Sequence, residues 1–314
     1  MNTLGDKWSF TSFGESHGAA VGGVLDGVPS GLHIDIDMIR NELARRSGRG
    51  MPGVSGRAQR EADEVEWLSG VLDEGDGPVT LGTPVAFLLR NRDARPEDYE
   101  ELRHTLRPGH ADGTYLAKYG IRDWRRGGRA SARETAARVV AGGIARQVLA
   151  GRGITIRAEL VQVGEETDPA RFETLLQAVQ AAGDSVGGII RCVVTGLPAG
   201  MGEPVFDKLQ SHLAFAMLSI NACKGFDYGT GFAGVALRGS EANRYSGGLA
   251  GGITDGTDLV FRTVFKPTPS ISRPQTLPDG STLRIRGRHD VCVAVRAVPV
   301  VEAMTALVLA DFLE

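Results

Sequence analysis

Segments of strand character and segments of helix character follow one another in this chain without a steady alternation. Strands are expected at Trp8–Ser12, Ala19–Val28, Val65–Leu72 and Val79–Leu89, the last two joined by an acidic, Gly-rich turn. Further strands are expected at Ile154–Val163, Gly187–Thr195, Phe232–Arg238, Asp258–Phe265, Leu283–Arg286 and Val291–Val295. A helix is expected over Asp35–Arg46, with Asp35 as N-cap and Ile39 and Leu43 on one face. Ala111–Tyr119 reads as a short helix. Ser131–Ala150 is the strongest helix, with Ser131 and Glu134 spaced as a capping box and Gly151 where a C′ glycine belongs. Asp168-Pro169 opens another helix, and Pro204–Ile220 and Pro299–Leu313 read as two more. A doubly wound parallel sheet needs regular strand–helix alternation; this order predicts an α+β fold with antiparallel sheet.

The 314 residues are enough to bury a sizeable core without disulfide staples. Hydrophobic residues at 42% and charged residues at 23% exclude wholesale disorder. No apolar run approaches the length of a membrane span, and Met1–Phe10 has no basic-then-apolar secretory pattern. Cys192, Cys223 and Cys292 are odd in number and widely spaced, which predicts reduced thiols in a cytoplasmic protein and neither a disulfide framework nor a zinc site. Glycine fills 43 positions with no collagen period, so it is expected to serve turns and close backbone approaches.

The 35 basic residues include only five Lys, which fits either a genome-wide bias or bidentate recognition of carboxylates and phosphates. Net charge is −3, yet Arg103–Arg138 carries eight Arg and one Lys against Asp112, Asp123 and Glu134. A second basic cluster comprises Arg40, Arg45, Arg46, Arg49, Arg57 and Arg60. Local basic clusters on a slightly acidic chain predict a compact anionic ligand rather than nucleic acid, and 6% aromatics offer few base-stacking platforms. Gly48–Gly53 and Gly229–Gly234 match G-x-G-x-x-G, but the first follows a helix and the second is read as leading into a strand, so neither predicts a dinucleotide site. The Gly/Asp spacing of Gly18–Gly27 recurs at Gly247–Gly256, which reads either as a trace of two related halves or as coincidence in a Gly-rich chain.

Candidate chemistry lies in the loops. His17 sits between Gly14 and Gly18, and read alone it is a loop histidine. His110 follows Pro108-Gly109 in the most basic stretch, where cationic neighbours favour a neutral imidazole suited to acid–base work. Gly127-Gly128-Arg129-Ala130-Ser131 enters a capped helix between Arg129 and Arg133, the pattern of an anion site at a helix start. Lys266-Pro267-Thr268-Pro269-Ser270 offers one cation and two hydroxyls on a rigid loop. Arg288 and Asp290 are two apart and would share one side of a strand. No His/Cys spacing predicts a metal.

Taken together these motifs resemble chorismate synthases. The resemblance rests on Gly14-Glu15-Ser16-His17-Gly18, Arg107-Pro108-Gly109-His110-Ala111-Asp112, Arg129-Ala130-Ser131-Ala132-Arg133-Glu134-Thr135, Ser219-Ile220-Asn221-Ala222-Cys223-Lys224-Gly225, Lys266-Pro267-Thr268 and Gly287-Arg288-His289-Asp290, in the family's order. It spans nearly the whole chain and implies one family domain over residues 1–314, a β-α-β sandwich of antiparallel sheets around central helices, and a homotetramer. It implies an FMN-dependent trans-1,4 elimination of phosphate from 5-enolpyruvylshikimate 3-phosphate, giving chorismate, with reduced FMN required. By similarity His17 protonates the departing phosphate, His110 acts at the flavin N1 side, and Asp290 assists proton traffic at N5. Arg129, Ala130, Ser131, Asn221, Ala222, Gly251, Lys266, Pro267, Thr268, Pro269, Ser270 and Arg288 match flavin contacts. Arg46 and Arg133 match substrate contacts, with Arg49 or Arg57 as a further one from the loop after Ser47. The chain is shorter than usual near Glu165–Ala170 and Glu241–Ser246, and carries Val291 where the family commonly has Pro. With no separate reductase domain visible, an external flavin reductase is expected to supply FMNH2. The alternatives are a bifunctional form that reduces its own flavin with NADPH, and a non-catalytic RNA- or anion-binding module.

Overall fold

The computed structural model describes residues 1–48, 51, 63–92, 103, 105–125, 127–242, 244–276, 280, 282–283 and 290–313. In chain order the elements are β1 (Thr3–Leu4), β2 (Phe10–Gly14), β3 (Ala20–Leu25), α1 (Ile36–Ser47), β4 (Glu66–Ser69), β5 (Val71–Leu72), β6 (Val79–Thr80), β7 (Val85–Arg90) and α2 (Asp112–Tyr119). The second half continues with α3 (Thr135–Gly151), β8 (Thr155–Val163), α4 (Pro169–Ala181), β9 (Gly188–Thr195), α5 (Leu209–Leu218), β10 (Cys223–Tyr228) and α6 (Gly239–Ala242). It closes with β11 (Leu249–Ala250), β12 (Ile253–Thr254), β13 (Leu259–Phe265), β14 (Gln275–Thr276), β15 (Thr282–Leu283) and α7 (Ala294–Asp311).

Two antiparallel sheets form the outer layers, ordered β1-β2-β3-β7-β4 and β10-β13-β9-β8. Between them α3 packs on β3 of the first sheet, α7 packs on β8 and β9 of the second, and the two helices pack on each other. This is the expected α+β sandwich, and it explains why both helices are apolar on nearly every side. From Val300 to Ala310 every residue of α7 is buried, and eleven of the seventeen residues of α3 are buried. Gly142 makes the crossing possible, because a Cβ there would lie 2.4 Å from Ala303. Amphipathic α1 closes one side with Ile39 and Leu43 inward, capped by Asp35 as expected.

Charges also tie the layers together. Glu302 of α7 is buried; its Oε2 accepts from Arg45 Nη1 of α1 at 2.6 Å and from Arg146 Nη1 of α3 at 3.3 Å. Its Oε1 accepts from the Ala158 amide of β8 at 2.8 Å. At the end of α7, Asp311 accepts from the backbone amides of Asp6, Lys7 and Trp8, which pins the N-terminal segment.

Several local expectations are corrected. Val65–Leu72 and Val79–Leu89 are each split, at Gly70 and at 81–84. The capping box is half formed: Ser131 accepts from the Arg133 amide, while Glu134 turns to Arg138 at i+4 and a 3₁₀ turn precedes α3. Gly151 is the last residue of α3, and the left-handed glycine is Gly153. Pro204–Ile220 is helical only from Leu209, whose amide is taken by Gly252 O at 2.9 Å. Phe232–Arg238 is not a strand; Gly231–Ala236 forms a 3₁₀ turn, and the strand is the preceding β10. Val291–Val295 is not a strand either, because α7 begins at Ala294 and contains Pro299, with burial on both sides outweighing the hydrogen bond proline cannot make. The Gly/Asp echo has no structural counterpart, since Gly22-Gly23 lie inside β3 and Gly251-Gly252 form the turn between β11 and β12. Of the expected Leu283–Arg286 strand, residues 284–286 lie outside the described residues.

Candidate active site

Pairing of β3 with β7 sets Ala20 opposite Arg90, so the residue after β7 reaches the loop before β3. That residue is Asn91. Its backbone amide donates to Ala19 O at 3.0 Å, and its Nδ2 donates to Glu15 O and to Gly18 O, each at 2.9 Å. The loop is closed by Gly18 N to Glu15 O at 3.0 Å and docked by Ser16 N to Gly128 O at 3.3 Å. His17 on this loop is buried.

Arg46, on the last turn of α1, and Arg133, in the 3₁₀ turn before α3, are both buried and meet on one carboxylate. Arg46 Nη2 donates to Asp63 Oδ2 at 2.8 Å, and Arg133 Nη1 donates to Asp63 Oδ1. Arg133 also donates through Nε to Asn91 Oδ1 at 2.9 Å and through Nη2 to Arg90 O at 3.3 Å. Burial works to raise the pKa of Asp63, but the charges and hydrogen bonds of Arg46 and Arg133 outweigh it and hold the carboxyl below its ordinary value. A lowered folded-state pKa means Asp63 stabilises the fold at neutral pH, and this contribution is lost as pH falls from about 4 through the lowered value. Asp63→Asn is therefore expected to flatten the acid limb of a stability-versus-pH profile measured by chemical denaturation; an unchanged limb would contradict the assignment.

A second group gathers around the Arg107–His110 turn. Arg107 is locked to Asp112 by Nε to Oδ2 and Nη2 to Oδ1, both 2.8 Å. Gly109 has φ +68°, and a Cβ there would lie 3.0 Å from Pro269. His110 Nε2 and Ser270 Oγ share a 2.6 Å hydrogen bond, and Lys266 Nζ donates to Gly109 O at 3.0 Å. The Lys266 amide donates to Ala222 O at 3.0 Å, and Asn221 Nδ2 donates to Ala130 O at 3.0 Å. Ala222 has φ +67°, an uncommon conformation for a residue with a Cβ. Residues 107–110, 130, 221–222 and 266–270 thus converge from four distant parts of the chain.

A small, partly open cavity relates the two groups, with Arg46, Thr135, Asn221 and Arg296 in its lining. Arg296 donates through Nη1 to Asp290 Oδ2 at 2.7 Å and through Nε to Arg46 O at 2.9 Å, so Asp290 is tied to the end of α1. Arg129 turns toward β2, donating to Ser12 Oγ at 2.7 Å and Gly14 O at 3.3 Å. Gly251 stands apart, exposed at the β11–β12 turn. Arg49, Arg57 and Arg288 lie outside the described residues, and Asp290 precedes α7 rather than lying on a strand.

Among the described residues the basic stretches are not open cationic faces. Arg122 and Arg125 meet Asp112 and Asp123, Arg138 meets Glu134, and Arg40 and Arg45 meet acids on α1 and α7. The charge of Arg133 at the helix start is offset by Asp63, a protein carboxylate. Sequence reading missed Asp63, Asn91 and Arg296, because each gains its meaning only from partners distant in the chain. Asn221 Oδ1, Thr268 Oγ1 and Ser16 Oγ are buried with no hydrogen-bond partner among the described residues. Asn221 Oδ1 and Thr268 Oγ1 lie in segments joined by the Lys266–Ala222 hydrogen bond, where they could meet a polar ligand. No His/Cys/Asp/Glu group among the described residues could hold a metal, and no helix is long and apolar enough to cross a membrane.

The family model of chorismate synthase matches residues 8–313. The chorismate synthase of Opitutus terrae is 47% identical, covering 99% of this chain and 96% of its own. That of Christiangramia forsetii is 44% identical, covering 99% and 97%. The alignment with the latter spans 352 positions, more than the chain contains, so that relative carries stretches this chain lacks. A crystal structure of chorismate synthase superposes with a TM-score of 0.73 at 29% identity, covering 96% of this chain and 90% of the other. Family model, near-full-length relatives and shared fold agree: the chain belongs to the chorismate synthase family.

Proposed function

We propose that this shikimate-pathway lyase eliminates phosphate from 5-enolpyruvylshikimate 3-phosphate to form chorismate, with reduced FMN held by the residues around the Arg107–His110 turn. The observation that carries the reading is the buried pair Arg46 and Arg133, fixed on Asp63 and sharing a site with the His17 loop. The substrate has two carboxylates and one phosphate, and guanidinium forks bind such groups bidentately. Two guanidiniums on one carboxylate leave a net positive site whose geometry is set before substrate arrives. Burial keeps water from competing for these donors. The unpartnered Asn221 Oδ1 and Thr268 Oγ1 fit a flavin's hydrogen-bonding edge, and Lys266 and Arg129 fit its phosphate. When bound, reduced FMN supplies the electron density that eases departure of an allylic phosphate. His17 protonates the departing phosphate. His110 is held by the bond it shares with Ser270 and handles a proton beside the flavin, and Asp290, oriented by Arg296, assists the transfer of the C6 proton.

Reduced flavin comes from a separate reductase in this reading. In support, Gly48 follows a helix, α1, and not a strand, and Gly229–Gly234 leads from β10 into a 3₁₀ turn, whereas a dinucleotide site follows a strand into a helix. The chain works as a homotetramer, in keeping with the exposed Phe206, Phe232 and Val235. It works in the cytoplasm, where its free cysteines stay reduced; burial pushes the Cys192 thiol up to about 12.

The test is an anaerobic assay with 5-enolpyruvylshikimate 3-phosphate and chemically reduced FMN, following chorismate absorbance and phosphate release. Equal amounts of both products are expected; neither product from protein that binds FMN overturns the reading. NADPH with oxidised FMN should not sustain turnover. His110→Ala is expected to lower kcat by about 100-fold, the scale of one lost acid–base group. FMN affinity, measured by fluorescence titration, should stay close to wild type, since the other flavin contacts remain. Wild-type turnover would remove the role.

A further inference from the structure

We infer that Asn91 is a positioning residue that fixes the loop carrying His17 to the anion-binding Arg133. The inference rests on the proposed roles of those two residues. A primary amide has two distinct ends, one accepting and one donating. At Asn91 both ends are used, and on different parts of the site. Oδ1 accepts from Arg133 Nε at 2.9 Å, and the two N–H groups of Nδ2 go to Glu15 O and Gly18 O, each at 2.9 Å. Turning the amide over would set an NH2 group against a guanidinium and an oxygen against two carbonyls, so the partners permit one orientation only.

The two carbonyls flank Ser16 and His17, so one side chain spans the loop at its base. The backbone amide of Asn91 is itself held by Ala19 O, and β7 is paired along its length with β3. The anchor is therefore the end of an interior strand, and the position of His17 is inherited from the sheet through two hydrogen bonds. Arg133 depends on Asn91 less, because Asp63 and Arg90 O also hold it.

This asymmetry predicts a split effect. Asn91→Ala removes both donors to the loop and one of the groups that hold Arg133. Substrate affinity, read by calorimetry on FMN-free protein, is expected to stay within about threefold of wild type, while kcat falls about tenfold or more through misplacement of His17. In ligand-free protein the amides of residues 16–18 are expected to exchange about tenfold or more faster, with exchange in α3 and α7 unchanged. Asn91→Ser can still donate to one carbonyl and should fall between the two. It serves as the second variant should alanine fail to fold. Wild-type loop exchange in Asn91→Ala, or a loss confined to substrate affinity, would overturn the inference. The exchange readout needs no turnover, so it decides the tie between Asn91 and the loop even if the wild-type protein fails to release chorismate. If wild type turns over and both variants match it, the inference alone falls.

Discussion

Arg133→Ala is expected to bind 5-enolpyruvylshikimate 3-phosphate about 100-fold more weakly, a loss of about 3 kcal/mol, as for charge-assisted hydrogen bonds removed from a buried site. Arg133 is buried and donates to Asp63, Asn91 and Arg90 O, so its guanidinium plane is set before any ligand arrives. The alanine variant leaves Asp63 paired with Arg46 alone, which turns a net positive site into a neutral pair. Arg133→Lys keeps the charge but not the fork: one ammonium nitrogen cannot stand in for Nε, Nη1 and Nη2, which meet three separate acceptors. It is expected to lose about tenfold, less than alanine and more than a pure charge argument allows. Calorimetry on the FMN-free protein checks both, and wild-type affinity in Arg133→Ala would remove the arginine from the substrate site.

The second large effect concerns stability. Glu302 lies between Arg45, Arg146 and the Ala158 amide, at the point where α1, α3, α7 and β8 meet. Removing one member of a buried ionic group costs about 3–5 kcal/mol; Glu42 still pairs with Arg45 and Arg146, which holds the loss toward the lower end. Glu302→Ala is expected to lose that much in chemical denaturation, a third or more of the stability typical of a protein domain. Glu302→Gln still offers an oxygen to the Ala158 amide and should lose less. A change below about 1 kcal/mol in Glu302→Ala would show that solvent reaches the two arginines and compensates them.

Much of the fold was legible because its signals are local. The Asp35 cap, the α4 start at Asp168-Pro169 and the apolar strand runs of β9 and β13 each depend on neighbours in the chain, and the structure agrees with them. The misreadings arose where a distant segment outweighed local preference. Phe232–Arg238 has strand composition but no partner strand, so it coils into a 3₁₀ turn beside β10. Val291–Val295 reads as strand by its β-branched residues, yet α7, buried between α3 and the second sheet, starts within it at Ala294. Glu134 fits a capping box, but Arg138 is one turn away and charged.

The site divides in the same way. The motifs around His17, His110, Arg133, Asn221 and Lys266 are contiguous runs, so the sequence by itself determined which segments carry chemistry and which family they resemble. It could not show that Arg46 and Arg133 share Asp63, that Asn91 holds the His17 loop, or that Arg296 joins Asp290 to the end of α1. Those pairings depend on sheet register and on how closely α3 and α7 approach at Gly142. Only the tertiary structure decided them, because a hydrogen bond is set by position in space and most of the partners here lie tens to hundreds of residues apart in the chain.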